Sequence, residues 1–486
     1  MSVVPTSSRA RQPLGAAFFD LDRTLLAGAS GAVFSEAMRT AGLISRTIPG
    51  ENLMYGIFNA VGETLPSMAL ARQGATLAKG RPREAIEAVA ASVADRLVAL
   101  VQPYAARLFA QHRQAGRPIV LATTTPYDLV RPFAEALGLD DVIATRYGVN
   151  ADGTYDGTIA GEFVWNTGKL AAVREWAERH GVELSESFAY SDSVYDTPLL
   201  AAVGHPVAVN PDPRLRVMAA LRRWPTMHLD VPAGVPKVPV IGMELQKVGL
   251  AFARPAFVPY ARFDVSGVEH IPPSGPAILC GNHRSYFDPT AMAMAIARSG
   301  RAVRFLGKKE VFDAPLVGQL ARALGGIRVD RGTGSDEPLQ DAADALAAGE
   351  VVAIMPQGTI PRGRAFFDPE LKGRWGAARL AAMTKAPVIP IGLWGTEKVW
   401  PRSARLPNVL NVTNPPVVSV RVGPPVALKY RSADADTKRI MAAISDLLPP
   451  EAREVREPTP EELALTLPPG YHGDPDAETV RRPGTD

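Results

Sequence analysis

At 486 residues the chain is long enough for two to three domains. Charged residues make up 21% and hydrophobic ones 46%, with a mean hydropathy of +0.00, which suits a packed protein and excludes a disordered or collagen-like one. The net charge of +3 argues against nucleic-acid binding by bulk charge, and a single cysteine, Cys280, excludes an internal disulfide and points to a reducing compartment. No uncharged run reaches the ~18 residues of a membrane span.

Residues 1–14 carry Arg9 and Arg11 without an apolar stretch behind them and are expected to be a flexible N-terminus rather than a secretory signal. The first apolar run, Ala16 to Phe19, stops at Asp20, as a buried parallel strand would. Similar runs at 118–122 and 187–190 end in Thr123-Thr124-Thr125 and Ser191-Asp192. Helical spacing at 82–101, 129–137 and 169–180 separates them, so the expected fold class is α/β with a parallel sheet. The stretch 31–100 predicts a helical cap, and Asn150 to Gly153 before Tyr155 predicts a hairpin turn. Residues 216–262 read as a linker with an amphipathic membrane-surface segment: Leu245, Val248, Leu250, Phe252 and Phe257 stand beside Lys247, Arg254 and Arg262. A second α/β unit spans 263–448, with apolar runs at 277–280, 351–355 and 388–391. Beyond 449 the Pro-, Glu- and Arg-rich composition predicts a mobile tail.

Two constellations carry chemistry. In the first, Asp20 and Asp22 stand two apart at a strand end, where one carboxylate can attack and the other move a proton. Asp192, at another strand end, completes an oxygen set for Mg²⁺. Thr123 offers a hydroxyl and amides to a phosphate, and Lys169 offsets phosphoryl charge. The order Asp20-x-Asp22-x-Thr24, Thr123, Lys169, Asp192-x-x-x-Asp196 resembles the haloacid dehalogenase superfamily, nearest its phosphoserine-phosphatase-like branch (subfamily IB), over residues 15–215. The resemblance implies a Rossmann-like domain. It also implies Asp20 as the residue phosphorylated, Asp22 as acid then base, Thr123 and Lys169 on the phosphoryl group, and Asp20, Asp22 and Asp192 around Mg²⁺. Ser191 stands where relatives usually have Gly.

In the second, Asn282-His283-Arg284-Ser285-Tyr286-Phe287-Asp288-Pro289 follows a strand. Asp288-Pro289 reads as a helix start with Asp288 as N-cap, and the loop can fold back so that Asp288 orients the His283 imidazole as a base. Gly325 to Arg331 places Arg328 and Arg331 around a tight turn suited to a phosphate. Gln357-Gly358-Thr359 sits at a strand end and can supply donors. Together these resemble the glycerophospholipid acyltransferases of the 1-acylglycerol-3-phosphate (PlsC) type. That implies His283 as general base, Asp288 as its partner, Arg328 and Arg331 near the acceptor phosphate, Lys308 in a basic segment, and acyl-CoA as co-substrate. Gln357 replaces a usual Glu, and Arg362 comes two positions late.

Residues 263–430 hold 20 Lys+Arg against 14 Asp+Glu, an excess that would draw acyl-CoA, lysophosphatidate and an anionic leaflet. The expected protein is a fused phosphatase and acyltransferase, cytoplasmic and peripheral on the inner face of the cell membrane. Its partners would be acyl-CoA, a lysolipid and a phosphomonoester, with no nucleic acid. Covalent pairing further suggests that both sites take lysophosphatidate. The competing readings are a non-catalytic regulatory first domain and a membrane-peripheral scaffold; the oligomeric state is left open.

Overall fold

A computed structural model describes residues 15–44, 62–232, 244–250, 254–315, 317–329 and 337–474, with residues 56, 58, 235 and 237 between them. The chain divides into two compact units, Met1–Ala233 and Gly234–Asp486.

The first unit is built on six parallel strands in the order β3-β2-β1-β6-β7-β8. In chain order these are β1 (Ala17–Phe19), β2 (Ile119–Pro126), β3 (Asp141–Thr145), the antiparallel hairpin β4 (Tyr147–Val149) and β5 (Tyr155–Ile159), then β6 (Phe188–Ser191), β7 (His205–Val209) and β8 (Thr226–Met227). Ala17 and Phe19 face one core and Ala16 and Phe18 the other, so a run buried on both sides has to be apolar throughout. The chain winds outward from β1 in both directions, and such a reversal opens a crevice at the carboxyl ends of β1, β2 and β6. Helices Ser30–Thr40, Leu65–Ala78 and Arg83–Val98 follow β1, in the stretch expected to form a helical cap. The hairpin is tied to them by Gly80 N donating to Tyr155 O at 2.8 Å and Tyr155 N to Arg81 O at 3.0 Å. Residues 216–227 are not linker: the Pro213–Arg222 helix and β8 complete the sheet, since a short amphipathic helix and a two-residue edge strand leave little periodicity to read.

Under this sheet His112 is enclosed by Phe19, Phe188 and Tyr190, with Nε2 2.9 Å from the Tyr190 hydroxyl and Nδ1 without a partner. Burial, aided by Arg117, pulls its pKa down to about 4. The unfolded chain takes up a proton near pH 6.5 and the folded one does not, so stability is whole above that value and is lost as pH falls toward 4. The raised carboxyls of the same unit act in the opposite direction, so the His112 contribution is read as a difference: between pH 7 and 5 the melting temperature of the wild type should fall relative to that of His112→Gln in a thermal-unfolding series.

The second unit has seven strands in the order β12-β11-β13-β10-β14-β15-β9, parallel except where β14 meets β15. They are β9 (Arg262–Ser266), β10 (Ala277–Gly281), β11 (Val303–Lys308), β12 (Ile327–Val329), β13 (Val351–Ile354), β14 (Val388–Trp394) and β15 (Val417–Val422). Ala277 and Leu279 pack into one core, Ile278 and Cys280 into the other. The short helix Leu245–Leu250 is pinned beside β11: buried Glu244 pairs with Arg304 at 2.6 Å and Gln246 bonds the Val303 carbonyl. Phe252 lies outside the described residues.

The expected mobile tail is instead seated as far as residue 474. A capping box of Thr459 and Glu462 starts the helix Pro460–Leu465, the Thr466 hydroxyl accepts from Gly363 N at 2.9 Å, and Arg362 lies over the Tyr471 ring. Polar composition hid this because the tail is held by hydrogen bonds and caps rather than by an apolar stripe. Residues 1–14 and 475–486 lie outside the described residues, and among those described no helix is long and apolar enough to cross a membrane.

Candidate active sites in the two units

In the first unit, parallel register puts the chemistry at one level. Phe19 is opposite both Leu121 and Tyr190, so Asp20 emerges level with Ala122 and Ser191, and Thr123 and Asp192 one residue further on. Lys169, buried on the Thr167–His180 helix, donates from Nζ to Asp20 Oδ1 at 2.9 Å and to Asp196 Oδ2 at 2.7 Å. Asp192 N donates to the buried Thr24 hydroxyl at 3.0 Å, and Arg23 Nε is 3.4 Å from Asp192 Oδ2. The Ser191 hydroxyl, in place of the usual Gly, donates to Asp196 Oδ2 at 2.7 Å, so the departure adds a support to the cluster. The Thr123 hydroxyl accepts from Thr125 N at 3.2 Å, within the last residues of β2, where its register with β3 shifts.

Electrostatically the cluster is short of positive charge. Burial, with Asp196 and Glu63 adding to it, pushes the Asp20 carboxyl up to about 7 against the pull of Lys169. Burial and Asp20 push Asp192 well above the carboxylate range, and Arg23 offsets only part. On Lys169, burial would lower the pKa, but Asp196, Asp20 and Glu63 outweigh it and raise it, so its charge is secure. Burial also raises Asp22, whose Oδ1 accepts from Ser30 N at 2.6 Å. Glu63, which no motif singles out, comes from the cap just ahead of the Thr64 helix cap. It accepts from Ser193 Oγ at 2.7 Å and Trp165 Nε1 at 3.0 Å, and burial raises its pKa.

Among the described residues no three His, Cys, Asp or Glu side chains converge as a metal-ligand set. Of the expected trio, Asp22 is turned aside to Ser30, leaving Asp20 and Asp192. Their donor chemistry still fits a hard divalent cation: two buried carboxylates with raised pKa values, and Asp196 Oδ1 buried with no hydrogen-bond partner.

In the second unit, three adjacent strand ends build the site. β10 delivers Asn282 and His283, the loop after β13 delivers Gln357, and the turn after β14 delivers Thr396. Asn282 locks the first to the third, with Nδ2 donating to Leu393 O at 2.9 Å and Oδ1 accepting from Leu393 N at 2.7 Å. His283 Nδ1 is 2.7 Å from Asp288 Oδ2, and His283 N donates to Gln357 Oε1 at 2.6 Å. Asp288 does not cap the helix Asp288–Ala297. It is the first helical residue, and Phe287 holds the cap position. Its carboxylate turns back into the loop, where Oδ2 also accepts from Arg284 N at 2.6 Å and Ser285 N at 2.7 Å, while Oδ1 accepts from the buried Thr396 hydroxyl at 2.5 Å. The tertiary demand for an anchor for His283 wins over the local cap. Arg284 is held between the rings of Phe366 and Trp394, 4.3 and 4.1 Å from their centroids, and pairs with Glu397 at 3.2 Å.

Such a pair can hold imidazole Nδ1 protonated and leave Nε2 to accept a proton. Thr396→Val strips one carboxylate oxygen of its buried donor, an effect of ~1–2 kcal/mol. The loss should appear as a melting temperature lowered by about 2–8 °C in a thermal-unfolding series.

His283 opens on two cavities. One, about 320 Å³, is shared with Gln357, Phe366 and Phe367 and walled by Val455 to Pro458 of the seated tail. The other is a groove of about 1290 Å³, largely apolar, with Phe305, Leu306, Phe312 and Trp375 along it. Lys308, Gly358 and Thr359 line it as well, together with Arg374, Arg379, Arg402 and Arg405, and no acidic side chain does so among the described residues. These four arginines were signalled only by the basic excess of the domain. Arg328 is placed otherwise than expected: Ile327–Val329 is the edge strand β12 rather than a turn, Arg328 lies 3.6 Å from Asp313, and it is not among the groove residues. Arg331 lies outside the described residues.

Comparison with known proteins agrees with this division. The family model of haloacid dehalogenase-like hydrolases matches residues 17–201, and the acyltransferase family model matches residues 262–394. The chain is 35% identical over 261 residues to the inhibition of morphological differentiation protein of Streptomyces azureus, covering 51% of this chain and 94% of that one. It is 35% identical over 222 residues to phosphoserine phosphatase SerB1 of Mycobacterium tuberculosis, covering 44% and 72%. Among solved structures, the 1-acyl-sn-glycerophosphate acyltransferase of Thermotoga maritima is similar at 22% identity and a TM-score of 0.31, covering 42% of this chain and 76% of that one. With its aspartates at the strand ends of one sheet and its histidine at those of another, the chain belongs to the haloacid dehalogenase-like hydrolases and carries an acyltransferase domain fused behind that phosphatase-like one.

Proposed function

We propose that the second unit transfers an acyl group from acyl-CoA to the free hydroxyl of lysophosphatidate, giving phosphatidate, and that the first unit hydrolyses a phosphomonoester. The observation that carries the first part is the 2.7 Å His283–Asp288 pair at the mouth of an apolar groove whose described lining residues include Lys308 and four arginines and no acid. In this reading Nε2 of His283 takes the proton of the acceptor hydroxyl as its oxygen attacks the thioester carbonyl. The C–S bond then breaks, and the thiolate leaves with the proton returned by the imidazolium. The groove holds the acyl chain, and its arginines with Lys308 hold the acceptor phosphate. The site needs no protein nucleophile.

In the first unit Asp20 would attack phosphorus while Asp22, kept protonated more easily by burial, gives its proton to the leaving alcohol. Asp22 would then take a proton from the water that releases phosphate from Asp20. Lys169 and Thr123 would hold the phosphoryl oxygens. Mg²⁺ held by Asp20 and Asp192 would supply charge to stabilise them when bound. Lysophosphatidate is proposed for this site too, and peripheral contact with an anionic membrane for the protein as a whole. The test is product analysis by mass spectrometry after incubation with mixed acyl-CoAs, lysophosphatidate and Mg²⁺. Phosphatidate and monoacylglycerol are the expected products. Absence of phosphatidate sinks the first assignment, and absence of monoacylglycerol the lysophosphatidate assignment of the second.

A further inference from the structure

Between the helix Thr396–Val399 and β15, the chain runs from Leu406 to Pro416 without a charged residue. Such a stretch in a folded domain usually turns its apolar side chains inward. Here Leu406 is 76% exposed, Leu410 87%, Val412 51% and Val409 48%. The backbone holds them there: Asn408 N donates to Val399 O at 3.1 Å, Val409 N to Pro407 O at 2.9 Å and Val412 N to Leu410 O at 2.9 Å. The stem is equally built, with Trp400 Nε1 donating to Ala404 O at 3.0 Å and Arg402 bonding the Ile360 carbonyl. An apolar display on an ordered stem is a surface feature that calls for a partner.

The place of this loop in the fold says which partner. Its stem residues Trp400, Arg402, Ala404 and Arg405 line the large groove, so the loop begins at the groove itself. Val311, Leu320 and Leu324, which line the same groove, are 43%, 55% and 40% exposed. The groove is therefore framed by outward-facing aliphatic side chains, with Arg402 and Arg405 at the root of the loop and no acid in its lining among the described residues. Aliphatic side chains beside arginines, around a cavity suited to a hydrocarbon chain, match the layering of an anionic bilayer: acyl region, then phosphate, then water.

We propose that the 406–412 loop inserts into an anionic lipid surface and sets the mouth of the groove against it, so that a lysolipid passes from the bilayer to His283 without crossing water. The inference rests on the acyltransferase reading, which names the lipid, but its test does not need turnover. Each methylene buried in the acyl region is worth about fourfold in partitioning, and each arginine near an anionic surface about fivefold. The double variant L406N/L410N should bind vesicles of equal phosphatidylglycerol and phosphatidylcholine at least tenfold more weakly in co-sedimentation, and wild-type protein should bind pure phosphatidylcholine more weakly than the mixture. Since both side chains are exposed, the variant should melt as the wild type does. In a second measurement, the indole of L410W should be quenched by lipids brominated on their acyl chains.

Unchanged vesicle binding by L406N/L410N, or an unquenched L410W indole in bound protein, overturns the proposal. So does wild-type protein that binds no vesicle, an outcome that leaves the loop to a protein partner. If loop-dependent binding is found but no phosphatidate forms, the membrane face stands and the acyltransferase reading of its substrate fails.

Discussion

Replacing His283 with alanine will remove acyl transfer and leave phosphate release intact. A positioned general base contributes about 10²–10⁴-fold, so kcat for acyl transfer should fall by that factor. The loss should come from chemistry rather than unfolding. The Asp288 carboxylate that faces the imidazole also accepts two backbone amides and the Thr396 hydroxyl, so it stays satisfied when the imidazole is gone. The anchor of the loop is thus independent of the residue it aims. A thermal melt of the variant should superimpose on that of the wild type, and phosphate release by the same preparation serves as the internal control. If both activities vanish in folded protein, separate sites are ruled out.

Asp20→Asn will do the reverse. An amide cannot displace the ester oxygen at phosphorus, and loss of a covalent nucleophile costs a factor of about 10³ or more. The stability of this variant is informative too. Burial pushes the Asp20 carboxyl up to about 7, so its charge is held against the preference of the fold at neutral pH. Removing that charge should leave the melting temperature unchanged or raise it at pH 8, whereas a purely structural aspartate would lower it. The sign follows from linkage: a carboxyl raised in the folded state favours folding as pH falls from about 7 toward the usual carboxylate range, and opposes it above. Colorimetric phosphate release and scanning calorimetry at two pH values read both effects.

Much of this molecule was legible from local patterns. Strands buried on both faces read as short apolar runs, and those at β1, β2, β6, β10, β13 and β14 end where Asp20, Thr123, Asp192, His283, Gln357 and the Trp394 turn emerge. What stayed illegible has two physical causes. Edge strands such as β8 and β12 are short and half exposed, so their composition resembles that of loops. Residues recruited from distant segments carry no motif at all. Glu63 reaches the aspartate cluster from the cap, Thr396 reaches Asp288 across 108 positions, and the groove arginines 374, 379, 402 and 405 meet only when the chain between them has folded.

Asp288 shows where local and global rules part. Followed by Pro289 it has every mark of a helix cap, and the helix does begin there, yet its carboxylate serves the preceding loop. Residue types and spacing by themselves determined that two α/β units exist, which strand ends carry carboxyl, hydroxyl and imidazole side chains, and that the Asp288 carboxylate can reach the His283 ring. They did so because strand burial and loop length are local, short-range constraints. Only the tertiary structure decided which cations line the groove, that the tail is seated beside His283, that Arg328 stands apart, and that the 406–412 loop faces outward. Those facts depend on which surfaces meet, and the free energy of that meeting belongs to pairs of segments far apart in the chain.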